Sequence, residues 1–331
     1  MARPQRVAFI GAGHYHATLY PSYLKLFADQ GVEMVGIHDP DEAVAADRAS
    51  RYNTKPYTDY RRMIEETKPE FVMALGRHCD MPDAFRALVE SGIPFLMEKP
   101  WAADPETFTG LIELAESHKA WAAVPFPMRF THWAETARSM IQNGETGALS
   151  HGVFRFLRAG IQHYYEQDSA WMLEKAGAGG GVLLNLGCHG IDLCRFITGE
   201  EPKVVSAVTS KSIFNKEVED YAYITLRTPS GLLFHSEFGY TLPTQLQGEG
   251  EKRLDTEHAI IREISGGDVR IQGPGRDEIL PQPEGYISGW GRVVVECLER
   301  VGRGDPPPTD YRDCASTISL IWDAYRLAGE I

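Results

Sequence analysis

Across the first 124 residues, short apolar runs alternate with helical patterns, and this rhythm restricts the N-terminal part to a doubly wound parallel sheet. The strand-like runs are 6–10, 32–37, 71–75, 94–97 and 120–124. Helical patterns fill the intervals at about 16–30, 42–52, 59–67, 83–91 and 105–118, with Gly31 and Gly92 placed as terminators. After Pro125 the rhythm changes. A helix at 133–143 leads into 150–158, which alternates like a half-buried strand. A glycine-rich passage and a helix at about 182–197 follow. The strand-like runs 204–210, 221–227, 232–238, 259–265 and 268–272 then come in succession. Tight turns link several of them, which implies an antiparallel sheet. Helices at about 289–303 and 310–327 close the chain, and the polar stretch 244–256 reads as an exposed loop. A length of 331 residues fits two domains, divided as 1–124 and 125–331.

Composition removes several function classes. The net charge is −13, which argues against a surface for nucleic acid, because such surfaces cluster Lys and Arg. No run of about 18 apolar residues is present, so no membrane span is expected. No signal-peptide pattern is readable at the N-terminus. The five cysteines, Cys79, Cys188, Cys194, Cys297 and Cys314, form no C-x-x-C pair. Neither a disulfide framework nor a metal site is expected, and the cytoplasm is the expected compartment.

Four local features carry chemistry. Gly11-x-Gly13 follows a strand and opens a helical pattern, the setting of a dinucleotide fingerprint. Glycines there let the backbone approach a pyrophosphate resting on a helix N-terminus. The third fingerprint position holds His16 instead of Gly or Ala. Asp39 ends the second strand, where a carboxylate accepts from both ribose hydroxyls and repels a 2′-phosphate, so NAD is favoured over NADP. Lys99, in Glu98-Lys99-Pro100, lies just past the strand 94–97, and ligands of doubly wound folds bind beyond such strand ends. Asn185, His189 and Asp192 are spaced to share one helix face behind Gly179-Gly180-Gly181. An inward histidine there can take a hydroxyl proton. Each feature also has a plainer reading: a glycine turn, a turn-forming Asp-Pro-Asp, a surface Glu-Lys pair and a packed histidine.

The ordered set Gly11-Ala12-Gly13, Asp39, Glu98-Lys99-Pro100, Arg129-Phe130, Trp171, Gly179-Gly180-Gly181 and His189-x-x-Asp192 resembles the Gfo/Idh/MocA oxidoreductase family over residues 6 to 327. The resemblance implies an N-terminal Rossmann domain binding NAD(P) and a C-terminal α+β domain on a large open, mainly antiparallel sheet. It implies sugars, inositols or related polyols as substrates, and homodimers or homotetramers formed through that sheet. Carried over by residue, Gly11, Ala12, Gly13, His14, Tyr15, Asp39, Gly76, Arg77, His78, Glu98 and Lys99 would hold the cofactor. Lys99 would bond the reacting oxygen, and His189 would be the acid/base, with Asn185 beside it. Arg129 and the loop carrying His163, Tyr164 and Trp171 would line the substrate site.

The chain departs from the pattern in places. Asn185 stands where Asp is common, and an amide neither takes a proton nor stabilises an imidazolium by charge. Leu75-Gly76-Arg77-His78 replaces a Thr-Pro-Asn-type stretch, and Met81 stands where His is frequent. The leading expectation is an NAD-dependent dehydrogenase or reductase acting on a carbohydrate-like alcohol. Two alternatives stand beside it: a non-catalytic NAD-binding sensor or regulator, and a hydrolase or lyase using transient oxidation by bound NAD.

Overall fold

The computed structural model of the protein describes residues 3–17, 19–243 and 248–331. Its chain divides into two compact units. The first takes in residues up to Pro125 and also His163–Gly179 and Trp290–Ala315. The second comprises Phe126–Gln162, Gly180–Gly289 and Ser316–Ile331. A single cut between residues 124 and 125 therefore describes only the first crossing, because two later segments group with the N-terminal residues.

In the first unit, strands β1 (Arg6–Ile10), β2 (Glu33–His38), β3 (Pro56–Tyr57), β4 (Phe71–Ala74), β5 (Phe95–Met97) and β6 (Ala122–Ala123) form one parallel sheet in the order β3-β2-β1-β4-β5-β6. The continuous apolar runs have their cause here. Val7, Ala8, Phe9 and every residue of β4 are at most 1% exposed, since helices cover both faces of a parallel sheet. Asp41, Asp59 and Asp104 cap helices Glu42–Arg51, Tyr60–Thr67 and Pro105–His118 by accepting from backbone N–H groups of the first turn.

The helix expected at 16–30 is not regular. Residues 11–17 form turns, Leu19–Ser22 is one helical turn, and Tyr23–Gln30 winds as a tighter 3-10 helix. Pro21 has no N–H to donate, so an unbroken α-helical ladder cannot run through it. The segment still buries Tyr20, Leu24 and Phe27.

The second unit is built on an eight-stranded sheet ordered β14-β13-β12-β11-β7-β10-β9-β8. Its strands are β7 (Leu149–Ala159), β8 (Lys203–Ser210), β9 (Tyr221–Arg227), β10 (Leu233–Leu242), β11 (Glu249–Thr256), β12 (Ile260–Glu263), β13 (Val269–Gly273) and β14 (Arg276–Leu280). All pairs are antiparallel except β7 with β10. One face buries Phe154, Phe156, Ile224, Phe234, Phe238, Leu254 and Ile271. The stretch expected to be a loop at 244–256 is corrected in part: 249–256 is strand β11, paired with β7 and β12. Only Leu254 of that strand is fully buried, so its sequence carries no apolar alternation to announce it. Residues 244–247 lie outside the described residues.

Candidate active site and cofactor cleft

The N-terminal unit holds a cleft of about 1300 Å³. Its floor is set by Ile10, His38 and Met97, the last residues of β1, β2 and β5, together with Leu75 just past β4. The cleft thus lies beyond the carboxyl ends of the strands, at the point where strand order reverses. Gly11 opens the turn over it with φ +82°. A Cβ at Gly11 would fall 2.0 Å from the Leu75 carbonyl oxygen, so no other residue fits. Gly11 N–H and Ala12 N–H both donate to the His38 carbonyl, at 3.0 and 3.1 Å. Gly13 N–H donates to Asp39 Oδ2 at 2.6 Å, and Asp41 N–H to Asp39 Oδ1 at 3.1 Å. The Asp39 carboxylate is thereby oriented at the cleft wall, with lone pairs left for hydroxyl donors. Volume, bare backbone and an oriented acceptor at the end of β2 fit a dinucleotide.

The residues expected around the cofactor separate into two groups. Gly11, Gly13, His14, Tyr15, Asp39, Gly76 and Arg77 line the cleft, whereas Ala12, His78, Glu98 and Lys99 are buried and do not. Arg77 also reaches Asp80 at 2.6 Å. Trp171, expected beside the substrate, lines this cleft as well, edge-on to His78 at 5.1 Å and 5.8 Å from the His14 ring. Tyr164 meets Tyr15 edge-on at 5.6 Å, and the His163 ring lies 4.0 Å from Tyr164. The loop carrying all three belongs to the dinucleotide unit. The sequence reading missed Tyr60, Arg61 and Asp83, which line the same cleft. Arg61 grips Asp83 through two bonds of 2.9 and 2.8 Å. Tyr60 and Arg61 open one helix and Asp83 lies on the next, so no local spacing announces the pairing.

Burial shapes the protonation states here. His78 Nδ1 lies 2.7 Å from the Ala178 carbonyl oxygen, and burial holds its imidazole down at about 3 despite that bond. Burial, then His16, lowers His14 well below the usual histidine value. Folded His78 therefore stays neutral while the unfolded chain binds a proton below about pH 6.5, so stability falls as pH drops through that window. Each such histidine is expected to remove up to about 1.4 kcal/mol per pH unit. His78→Gln, which keeps a donor for Ala178, should show a shallower loss of denaturant midpoint between pH 7 and pH 5. Equal slopes for the two proteins would refute this.

Past β5, Glu98-Lys99-Pro100-Trp101 makes a tight, wholly buried turn. Lys99–Pro100 is a cis peptide, Trp101 has φ +76°, and Lys99 is 1% exposed. Trp101 Nε1–H donates to the Met97 carbonyl at 3.0 Å. Glu98 Oε2 accepts from the Tyr20 hydroxyl and lies 3.4 Å from His16 Nδ1. Burial raises the Glu98 carboxyl, but the His16 contact and the Lys99 charge outweigh it and bring it down to about 2.

In the second unit, a π-helical turn, Leu183–Gly187, runs into helix Cys188–Thr198. Such turns widen the ladder by one residue and occur often at functional sites. Asn185 on the turn donates from Nδ2 to the Tyr240 hydroxyl at 2.7 Å, and Asn185 and His189 are each 6% exposed. Asp192 is fully buried and is gripped by Arg129 through three contacts of 2.9, 2.9 and 2.6 Å. Arg129, expected in the substrate wall, thus holds a buried carboxylate. The glycine run is explained by packing. A Cβ at Gly180 would fall 2.1 Å from the Tyr325 hydroxyl, and one at Gly181 would fall 2.1 Å from the Glu219 carbonyl oxygen. The Glu219 side chain, also missed by the sequence reading, accepts from Gly181 N–H and Leu183 N–H at 2.9 Å each and from the Tyr325 hydroxyl at 2.8 Å. A buried carboxylate therefore caps the start of the His189 helix.

A sheet in this strand order, with a cleft over its carboxyl ends, defines a Rossmann dinucleotide-binding protein. Comparison with known proteins narrows the class. Residues 5–126 match a family described as an oxidoreductase family with an NAD-binding Rossmann fold, and residues 134–254 match the GFO/IDH/MocA C-terminal domain. The chain belongs to the Gfo/Idh/MocA oxidoreductase family, and its N-terminal unit is that family's NAD-binding domain. It is 27% identical to D-glucoside 3-dehydrogenase of Escherichia coli (strain K12) over 59% of this chain and 54% of that protein, so the match spans about half of that relative's length. It is 22% identical to inositol 2-dehydrogenase of Rhizobium meliloti (strain 1021) over 76% of each chain. The fold is shared with an inositol dehydrogenase homolog from Azotobacter vinelandii complexed with NAD+, at TM-score 0.85 and 18% identity, covering 100% of this chain and 96% of that one. Among the described residues, no helix is long and apolar enough to cross a membrane.

Proposed function

We propose that the protein transfers a hydride between NAD(H) and a carbohydrate-like alcohol: a sugar, an inositol or a related polyol. The observation that carries this reading is Lys99, an ammonium buried one residue beyond Glu98 at the end of β5, in the same unit as the dinucleotide cleft. NAD, when bound, supplies the hydride acceptor or donor. In this reading, the cleft residues Gly11, Gly13 and Asp39 hold the dinucleotide, and the Asp39 charge selects a free 2′-hydroxyl over a 2′-phosphate. Lys99 donates a hydrogen bond to the reacting oxygen, stabilising the charge that develops there. His189 takes the hydroxyl proton during oxidation and returns it during reduction. Asn185, held by Tyr240, orients its surroundings as a neutral amide and does not share the proton. The names of the relatives, glucoside and inositol dehydrogenases, support the substrate class. The proposal includes a homodimer or homotetramer formed through the eight-stranded sheet.

A regulatory reading draws on Asn185, an amide where a carboxylate is common. The two separate in one experiment. A panel of sugars, inositols and sugar acids is incubated with the protein and either NAD or NADP, and absorbance of the reduced cofactor is followed. Turnover of at least one polyol, with NAD preferred, is expected. NADH binding without turnover of any member would reject the enzymatic reading.

A further inference from the structure

The fingerprint's third glycine normally allows close helix–strand packing, and its replacement by His16 has a structural counterpart. Because residues 11–17 form turns, the His16 side chain is not forced against the sheet. Its backbone N–H donates to His14 Nδ1 at 3.1 Å, and its ring lies 5.1 Å from Trp290, which is also 5.2 Å from Tyr20. His16 and Tyr20 converge on one atom, Glu98 Oε2. Among the described residues Glu98 Oε1 has no hydrogen-bond partner, so the donors at Oε2 carry the contacts seen for this buried carboxylate. The Glu98 backbone N–H is tied to the Ala74 carbonyl at 3.0 Å, and Trp101 is tied back to Met97. Lys99 therefore sits between two anchored residues, one of them held through the segment that follows the glycine turn.

We infer that His16 is a positioning residue for Lys99: by holding the Glu98 carboxylate through Nδ1, it fixes where the neighbouring ammonium is presented. The inference rests on the catalytic role proposed for Lys99. Losing the imidazole leaves a buried carboxylate short of one donor, and Glu98 shifts to recover it. A displacement of about 1 Å at a catalytic group costs up to about 100-fold in rate.

The test uses the full chain, NAD and a polyol turned over in the screen. His16→Gly restores the fingerprint glycine and removes the donor. It is expected to lower kcat by about 10-fold to 100-fold while the NADH Kd stays within threefold. His16→Asn places an amide donor near the Nδ1 position and should recover kcat to within threefold of wild type. If kcat is unchanged in His16→Gly, or if NADH affinity falls while kcat holds, His16 merely fills the loop and the inference is wrong. Equal loss in the Gly and Asn variants, with a matching fall in thermal midpoint, also overturns it. Lys99→Ala read in parallel separates the two ideas. Full activity there sinks the Lys99 role itself, whereas loss in Lys99→Ala with none in His16→Gly sinks only this inference. A wild-type protein that turns over no polyol removes the enzymatic reading and this inference together.

Discussion

Lys99→Ala is expected to abolish turnover while leaving NAD affinity within severalfold. Removing one preorganised donor from a developing oxyanion costs about 3 to 4 kcal/mol, or roughly 100-fold to 1000-fold in kcat. Lys99 is 1% exposed, so its removal also opens a small void. Lys99→Met fills much of that volume without the charge and should be equally inactive, with a thermal midpoint above that of Lys99→Ala. The glycine turn and Asp39, which hold the dinucleotide in this reading, are untouched, so NADH fluorescence titration should report near-normal binding. Turnover within threefold of wild type in either variant would reject the assignment.

Arg129→Ala is expected to act on stability more than on substrate affinity. Its guanidinium is the bidentate partner of Asp192, whose side chain is fully buried, and Arg195 lies 3.9 Å from the same carboxylate. Removing one partner of a buried pair costs at most about 3 to 5 kcal/mol, and Arg195 keeps part of the compensation for Asp192 here. The denaturant midpoint should fall accordingly, and Arg129→Ala combined with Asp192→Leu should regain part of the loss, because the buried carboxylate that lost its bidentate partner is gone. If Arg129 instead contacts substrate, Arg129→Ala would raise KM and leave the midpoint in place. That result would contradict the ion pair as the residue's main task.

The elements that were legible in the sequence share one property: their cause is local. The strand β1, the turn at Gly11 and the helices over 42–52, 59–67 and 105–118 follow from residues a few positions apart. Asp39 was legible for the same reason, since it ends a strand whose neighbour carries the glycine turn. The helix after that turn was misjudged because Pro21 interrupts a pattern whose buried positions, Tyr20, Leu24 and Phe27, still look helical. Strand β11 was hidden because its pairing with β7 supplies the order that its polar sequence Glu249–Thr256 does not advertise.

Other relations belong to no window of sequence. Arg129 and Asp192 are 63 positions apart, Glu219 caps a helix that begins 36 positions earlier, and His16 meets Glu98 across 82. A burial pattern states that a side chain will be inside, but not which polar partner it will find there. Side-chain pairing in the interior depends on where separate segments are brought by packing, and packing is a property of the whole chain. The amino-acid order by itself determined the two kinds of sheet, the dinucleotide turn and the acidic residue beside it, because backbone geometry and capping act over a few residues. Only the tertiary structure decided that Trp171 lines the cleft, that Arg129 pairs with Asp192, and that His16 meets Glu98 beside Lys99, because each of these needs a contact whose entropy cost is met only after the surrounding core has formed.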